Sequence, residues 1–255
     1  MSDSLGDRMK GYEGASRTVL PAKLPVIVRV DGRAFHTYAH GAEQPFDRGM
    51  MDAMNNVALA LVREMSNSVF AYVQSDEISV LLVDYQNPET QAWFGGVVSK
   101  MVSIAAATAA VRMTLESTKW HPKCLDSMMA YGPQPCAFDA RAFVLPKEEV
   151  CNYFIWRQQD WARNSLQMLS RSLYSHKELE GKDQSAMHEM CFQKGVNWAA
   201  LDCDLRRGRG IIKRDKPFVV PAGPKAGETI MRSEWIVDKL TPQFTQERQY
   251  IEGLL

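Results

Sequence analysis

Val69-Phe-Ala-Tyr-Val73, Gln74-Ser-Asp-Glu77 and Ile78-Ser-Val-Leu-Leu-Val83 follow one another without a break. Two runs rich in β-branched and aromatic residues flank four polar ones, which predicts a hairpin with acids at its tip. Upstream, Val26-Ile-Val-Arg-Val30 ends at Asp31-Gly32, the pattern of a buried strand stopping at a polar turn. Between these strands Met50, Met54, Val57, Ala58, Leu61 and Met65 recur at helical spacing, predicting a helix over 47–65 with Asp47 as its N-cap. A second long helix is expected over 93–117. After a break at Pro122, Pro133 and Pro135, residues 137–145 alternate as a fourth strand should, and Pro146 ends it. A further helix is expected over 147–174.

The order strand, helix, strand, strand, helix, strand is that of the ferredoxin-like βαββαβ arrangement. It predicts an α+β fold whose antiparallel sheet carries two helices on one face. The expected organisation is a catalytic unit over 1–146 with a helical and basic-hairpin extension over 147–255 packed on it. In that extension, 206–215 and 218–220 read as a basic hairpin and 245–255 as a short helix.

The 255 residues carry 30 basic and 30 acidic side chains, so any phosphate binding must come from local clusters. Five widely spaced cysteines form no C-x-x-C pair, which argues against a zinc ribbon and reads as reduced cytosolic thiols. The charged segment 1–10 has no apolar signal-like core. Lys100, Arg112 and Glu116 interrupt the most apolar helix, against a membrane span. A soluble, cytoplasmic protein is expected.

Asp31 at a strand end and Asp76 on the hairpin tip would lie on neighbouring strands, where both can share cations with the Gly32 carbonyl. Oxygen donors without His or Cys suit Mg²⁺, and two such ions can activate an attacking hydroxyl and stabilise a leaving pyrophosphate. Both aspartates are equally ordinary turn residues. Gly32 permits close backbone approach, and the amides after it can cradle a triphosphate. Phe35 and His36 can stack on a base or touch a ribose; a core Phe35 and a surface His36 fit as well. Arg157, Asp160, Arg163 and Asn164 share helix faces. Arg157 with Asp160 has ion-pair spacing, and Arg163 with Asn164 suits phosphate or a base edge; Arg157, Arg163 and Asn164 are candidate RNA contacts. Arg206, Arg207, Arg209, Lys213 and Arg214 can grip an RNA backbone or simply solvate an edge hairpin.

Six segments in order carry a family likeness. They are Ser4-Leu-Gly-Asp-Arg-Met-Lys10, Arg29-Val-Asp-Gly-Arg-Ala-Phe-His36, Tyr72-Val-Gln-Ser-Asp-Glu77, Phe138-Asp-Ala-Arg141, Trp156-Arg-Gln-Gln-Asp160 with Arg163-Asn-Ser165, and Gln193-Lys-Gly-Val-Asn-Trp198. Together they resemble the tRNA(His) guanylyltransferase superfamily, in its guanylyltransferase-like branch. The resemblance implies a polymerase palm domain that adds nucleotides to the 5′ end of tRNA, opposite to ordinary polymerases. It implies metal ligation by Asp31, Gly32 and Asp76, with Glu77 at an acidic family position. It also implies nucleotide binding by Asp31, Gly32, Arg33, Ala34, Phe35, His36, Ser75 and Asp76, and triphosphate contacts from Arg29, Lys100 and Arg141. Implied partners are tRNA, ATP or GTP, two Mg²⁺ ions and three further copies of the chain as a dimer of dimers. The eukaryotic His-Ile-Asn-Asn-Leu-Tyr motif is here Ala162-Arg-Asn-Ser-Leu-Gln167. That departure favours template-dependent repair of 5′-truncated tRNAs over strict addition of one guanosine to tRNA(His). A palm-domain nucleotide cyclase and a catalytically silent tRNA-binding protein are the alternatives. The cyclase gives the Trp156–Ser165 segment no place, and the silent protein gives the retained acids none.

Overall fold

The fold is that of a computed structural model describing residues 4–125, 132–219, 221–222 and 227–255. Val220, the last residue of the expected basic hairpin, and residues 1–3 of the charged N-terminal segment lie outside them.

In chain order the elements are α1 (Leu5–Gly14), β1 (Val26–Gly32), α2 (Phe35–Tyr38), α3 (Arg48–Glu64), β2 (Ser68–Gln74), β3 (Glu77–Leu82), α4 (Val98–Trp120), α5 (Pro122–Leu125), β4 (Phe138–Val144), α6 (Lys147–Leu173), α7 (His176–Leu179), α8 (Gln184–Gln193), α9 (Cys203–Arg207), β5 (Arg209–Val219), β6 (Thr229–Asp238) and α10 (Gln249–Glu252). The sheet order is β4-β1-β3-β2-β5-β6, antiparallel throughout. Its first four strands have the ferredoxin-like order, extended at the β2 edge by a long hairpin.

Alternation along the strands divides the core into two layers. Val28, Val30, Ala71, Val73, Ile78 and Val80 face α3 and α4, whose Met54, Val57, Leu61, Met101, Ala105 and Met113 cover them. Ile27, Phe70, Tyr72 and Leu81 point to the opposite face, where Val150, Cys151 and Phe154 of α6 pack together with Phe244 and Ile251 of the C-terminal tail. α3 and α4 thus share one face as expected, and α6 closes the other. Asp47 caps α3, its Oδ1 accepting from the Met50 amide at 2.8 Å. By length and composition α4 could cross a membrane, yet Met101, Ala105, Ala109 and Met113 are buried in the core.

The C-terminal third departs from expectation. Residues 203–207 are helical, and the following strand runs unbroken from Arg209 to Val219, across Pro217. Its hairpin partner is Thr229–Asp238, not 218–220, and the register pairs Gly210 with Asp238 and Val219 with Thr229. Pro217 is tolerated because the far half of this hairpin projects beyond β2, which contacts β5 only at Arg209–Ile211.

Candidate functional site

The hairpin tip meets the end of β1 through ladder register. Asp31 lies opposite Glu77 of β3 and Asp139 of β4, and Arg29 lies opposite Arg141. Directly opposed residues point to the same face, so Arg29, Asp31, Glu77, Asp139 and Arg141 form one charged patch on the α6 side of the sheet. The Gly32 amide donates to the Asp76 carbonyl at 3.1 Å, locking the turn against the end of β1. A side chain at Gly32 would collide with the Phe35 ring and come to 3.0 Å from Asp76 Cβ. Glycine is therefore required for the two aspartates to approach. Ser75 holds the tip at φ 44°, a left-handed conformation, and its hydroxyl works to lower the Asp76 pKa.

Burial works against charge on both aspartates. Burial raises the Asp31 pKa and Asp139 adds to the rise, against the pull of Arg29, Arg141 and Arg157. Burial likewise raises Asp76, with Asp31 adding to it and hydrogen bonds from its own amide and Ser75 opposing. Each aspartate lacks a directly bonded cation among the described residues. A divalent ion would supply that charge.

Glu77 is placed differently. Burial pushes its pKa up, but its Oε1 faces Arg157 Nε at 3.3 Å and Gln74 Nε2 at 3.2 Å, and its Oε2 faces Arg29 Nε at 3.8 Å. Among the described residues no cluster of three His, Cys, Asp or Glu side chains forms a metal site. The available donor set is two carboxylates and the Gly32 carbonyl. That is enough for Mg²⁺, which keeps few protein ligands and fills its shell with water and phosphate oxygens.

The stretch after Gly32 is only partly free. The Arg33 amide donates to Ala137 O at 2.9 Å. Ala34 (φ 51°) turns the chain into the one-turn helix α2, whose leading amides have no intrahelical acceptor. Phe35 is 6% exposed and packs on Tyr38 and Phe138, so base stacking by its ring is corrected to a core role. His36 is exposed beside it.

Three further expectations change. Lys100 sits at the first turn of α4, near the Val26 end of β1, where Met101, Val26 and Leu82 line one cavity. Five residues of strand, about 16 Å, separate that end from Asp31, so within one chain Lys100 does not reach the acids. Arg157 and Arg209 are 5% and 1% exposed, which withdraws both from direct RNA contact. Arg157 is spent on Glu77 and on Asp160 Oδ2, and Arg209 Nε donates to Asn55 Oδ1 at 2.7 Å. Arg163 and Asn164 are exposed and bond Asp160 at 2.9 and 3.5 Å. Burial works to raise the Asp160 pKa, but Arg157 and Arg163 outweigh it and hold it low. Arg206 and Arg207 remain half-buried at the surface end of α9. Asp139 is the site residue the sequence reading missed; it lay inside the quoted Phe138-Asp-Ala-Arg141 segment, and only the register places it opposite Asp31.

Known proteins resemble the chain along most of its length. The family model described as tRNAHis guanylyltransferase matches residues 6–146, over half of the chain. A solved bacterial tRNA(His) guanylyltransferase-like protein in complex with ATP superposes with a TM-score of 0.85 at 37% identity, covering 98% of each chain. A second such structure, in complex with GTP, gives 0.77 at 34% identity over 99% of each. A probable tRNA(His) guanylyltransferase of Drosophila melanogaster is 27% identical over 99% of this chain and 86% of its own length.

Proposed function

Because the chain belongs to the tRNA(His) guanylyltransferase family, we propose that it is a nucleotidyltransferase extending tRNA at its 5′ end in the 3′-to-5′ direction. The observation carrying this reading is the convergence of Asp31, Gly32 and Asp76 at one end of a palm-like sheet, with Arg29 and Arg141 beside them.

Asp31, Asp76 and the Gly32 carbonyl would hold Mg²⁺, which when bound supplies positive charge to phosphate oxygens and to an attacking hydroxyl. Arg141 is half-exposed, among the described residues ion-paired only with Asp139 at 3.3 Å, and offers its guanidinium to a triphosphate. Arg29 is half-buried against Glu77 and lies behind Asp31 on the same strand. In the reaction so read, the tRNA 5′-phosphate is first activated by ATP or GTP, releasing pyrophosphate. The 3′-hydroxyl of the incoming nucleotide then attacks that phosphate and displaces the nucleoside monophosphate.

The departure at Ala162–Gln167 from the eukaryotic motif favours template-dependent repair of truncated 5′ ends over a single guanosine addition. Supporting assembly into a homotetramer, α4 exposes Ile104, Val111 and Leu115 as an apolar stripe. A neighbouring subunit would then be the one Lys100 serves. We also read 1–146 as the catalytic unit with 147–255 packed on it, and a cytoplasmic location from the free thiols.

Incubation with Mg²⁺, labelled nucleotides and a tRNA lacking its first 5′ nucleotide tests the reading. Product one nucleotide longer at the 5′ end is expected. Cyclic nucleotide, or no product, would overturn it.

A further inference from the structure

Beside the acid tip lies a groove that the proposed chemistry leaves unused. Its larger lobe, about 590 Å³, lies between α6 and α8 and is lined by Gln159, Arg163, His188 and Trp198 among others. A smaller lobe of about 230 Å³ shares Gln159, Ala162 and Trp198 and is lined on its far side by Arg206 and Arg207. Among the described residues, neither lining contains an aspartate or glutamate.

The walls are built rather than incidental. The Trp198 indole N–H donates to the buried Ser165 hydroxyl at 3.0 Å, and His188 meets the indole edge-on at 6.3 Å between centroids. The Arg207 carbonyl accepts from Tyr72 Oη at 2.8 Å and Gln158 Nε2 at 3.2 Å, fixing the backbone from which its guanidinium projects. Gly208, at φ 72°, leaves no room for a side chain against the Tyr72 hydroxyl. A rigid indole, carboxamide-bearing walls and three guanidiniums, of which Arg163 is shared with Asp160 just outside the lining, match a flat, hydrogen-bonding, anionic ligand. Stacked nucleotides have that chemistry.

Position narrows the ligand further. Gln159 and Arg163 lie within two turns of Arg157, whose guanidinium faces Glu77 of the hairpin tip. A turn of helix rises about 5.4 Å, so the groove begins close to the acids. An RNA whose 5′ end sits at Asp31 and Asp76 brings the strand paired with that end alongside, and in tRNA that strand continues as unpaired 3′ nucleotides.

We propose that this groove takes the unpaired 3′ nucleotides of the tRNA acceptor end, Trp198 serving as stacking platform and Arg163, Arg206 and Arg207 facing the phosphates. The proposal rests on tRNA being the substrate. It adds that the enzyme holds both strands of the acceptor end on one chain.

The test compares binding of one labelled tRNA, intact and trimmed of its unpaired 3′ nucleotides, by fluorescence anisotropy at fixed salt. Loss of one stacked base weakens binding by about five- to 150-fold. Wild type should therefore lose about tenfold or more on trimming. Trp198→Ala should lose as much on intact tRNA and nothing further on trimming, while Trp198→Phe retains most of the wild-type difference. Because the indole also anchors the α6–α8 packing, thermal unfolding of each variant accompanies the titration. Arg207→Ala, which keeps the Arg207 carbonyl and its bonds to Tyr72 and Gln158, should flatten the salt slope by about 0.7 for intact tRNA only. Equal binding of both tRNAs by wild type overturns the proposal. So does a Trp198→Ala loss of equal factor on both tRNAs, or abolition of the trimming effect by saturating ATP or GTP, which would give the groove to a free nucleotide. Extension of intact tRNA by wild type is scored separately. If extension proceeds without a trimming effect, the groove alone fails; if neither tRNA binds, the substrate reading falls with it.

Discussion

Replacing Arg157 by methionine tests how the acid tip is held. Arg157 and Glu77 have side chains only 6% and 12% exposed, with Nε 3.3 Å from Oε1. The guanidinium also bonds Asp160 Oδ2 and lies 4.0 Å from the centre of the Trp156 ring. Removing one partner of a buried pair costs about 3–5 kcal/mol, because the other charge stays buried. Here Arg29 still faces Glu77 at 3.8 Å and Gln74 still donates to it, while Asp160 keeps Arg163. The lower end therefore applies, about 3 kcal/mol. Burial already raises the Glu77 pKa, and Arg157→Met raises it further. The loss is thus full where Glu77 is charged and shrinks as pH falls through that raised value. Glu77→Gln added to Arg157→Met should restore about half of the loss, giving a coupling above about 1 kcal/mol in a double-mutant cycle. Urea unfolding at neutral pH with an unchanged m-value is the assay. A loss below about 1 kcal/mol, or additive single mutants, would refute the argument.

Three other outcomes follow from the same geometry. Asp76→Asn should stabilise the metal-free protein by about 1 kcal/mol near neutral pH. The raised folded-state pKa means the charged form is penalised on folding above it and the penalty fades as pH drops; Mg²⁺ with nucleotide should then raise the Tm of wild type but not of the variant, as thermal scans would read. Gly32→Ala should cost about 2 kcal/mol by overpacking against Phe35 and Asp76 and abolish 5′ extension, measured by denaturation and the tRNA assay; retained activity would remove the close approach from the account. Arg209→Met should leave tRNA affinity within about twofold, because the guanidinium is buried against Asn55; a larger loss in a binding titration would return Arg209 to the RNA surface.

Much of this was legible because hydrophobic period is a local property. The βαββαβ order, the Asp47 cap and the opposition of β1 to the acid hairpin all follow from patterns within a few residues. What escaped depends on partners far along the chain. Thr229–Asp238 has no apolar alternation strong enough to announce a strand, and its pairing is set by β5. Arg157 and Arg209 read as surface cations because arginine usually is one. Only the packing of α6 over Glu77, and of β5 beside Asn55, buries them. Lys100 was assigned by resemblance, and its place at the far end of the sheet follows from the direction of α4, which motif order does not encode. Asp139 needed the β1–β4 register.

The proposed chemistry requires Asp31 and Asp76 to hold divalent ions jointly. Its most direct measurement is Mn²⁺ electron paramagnetic resonance on the protein with a non-reactive GTP analogue, for wild type, Asp31→Asn and Asp76→Asn. Spin-coupled ions about 3.5–4 Å apart in wild type, with coupling lost in either variant, are predicted; wild-type coupling surviving in both variants would contradict it.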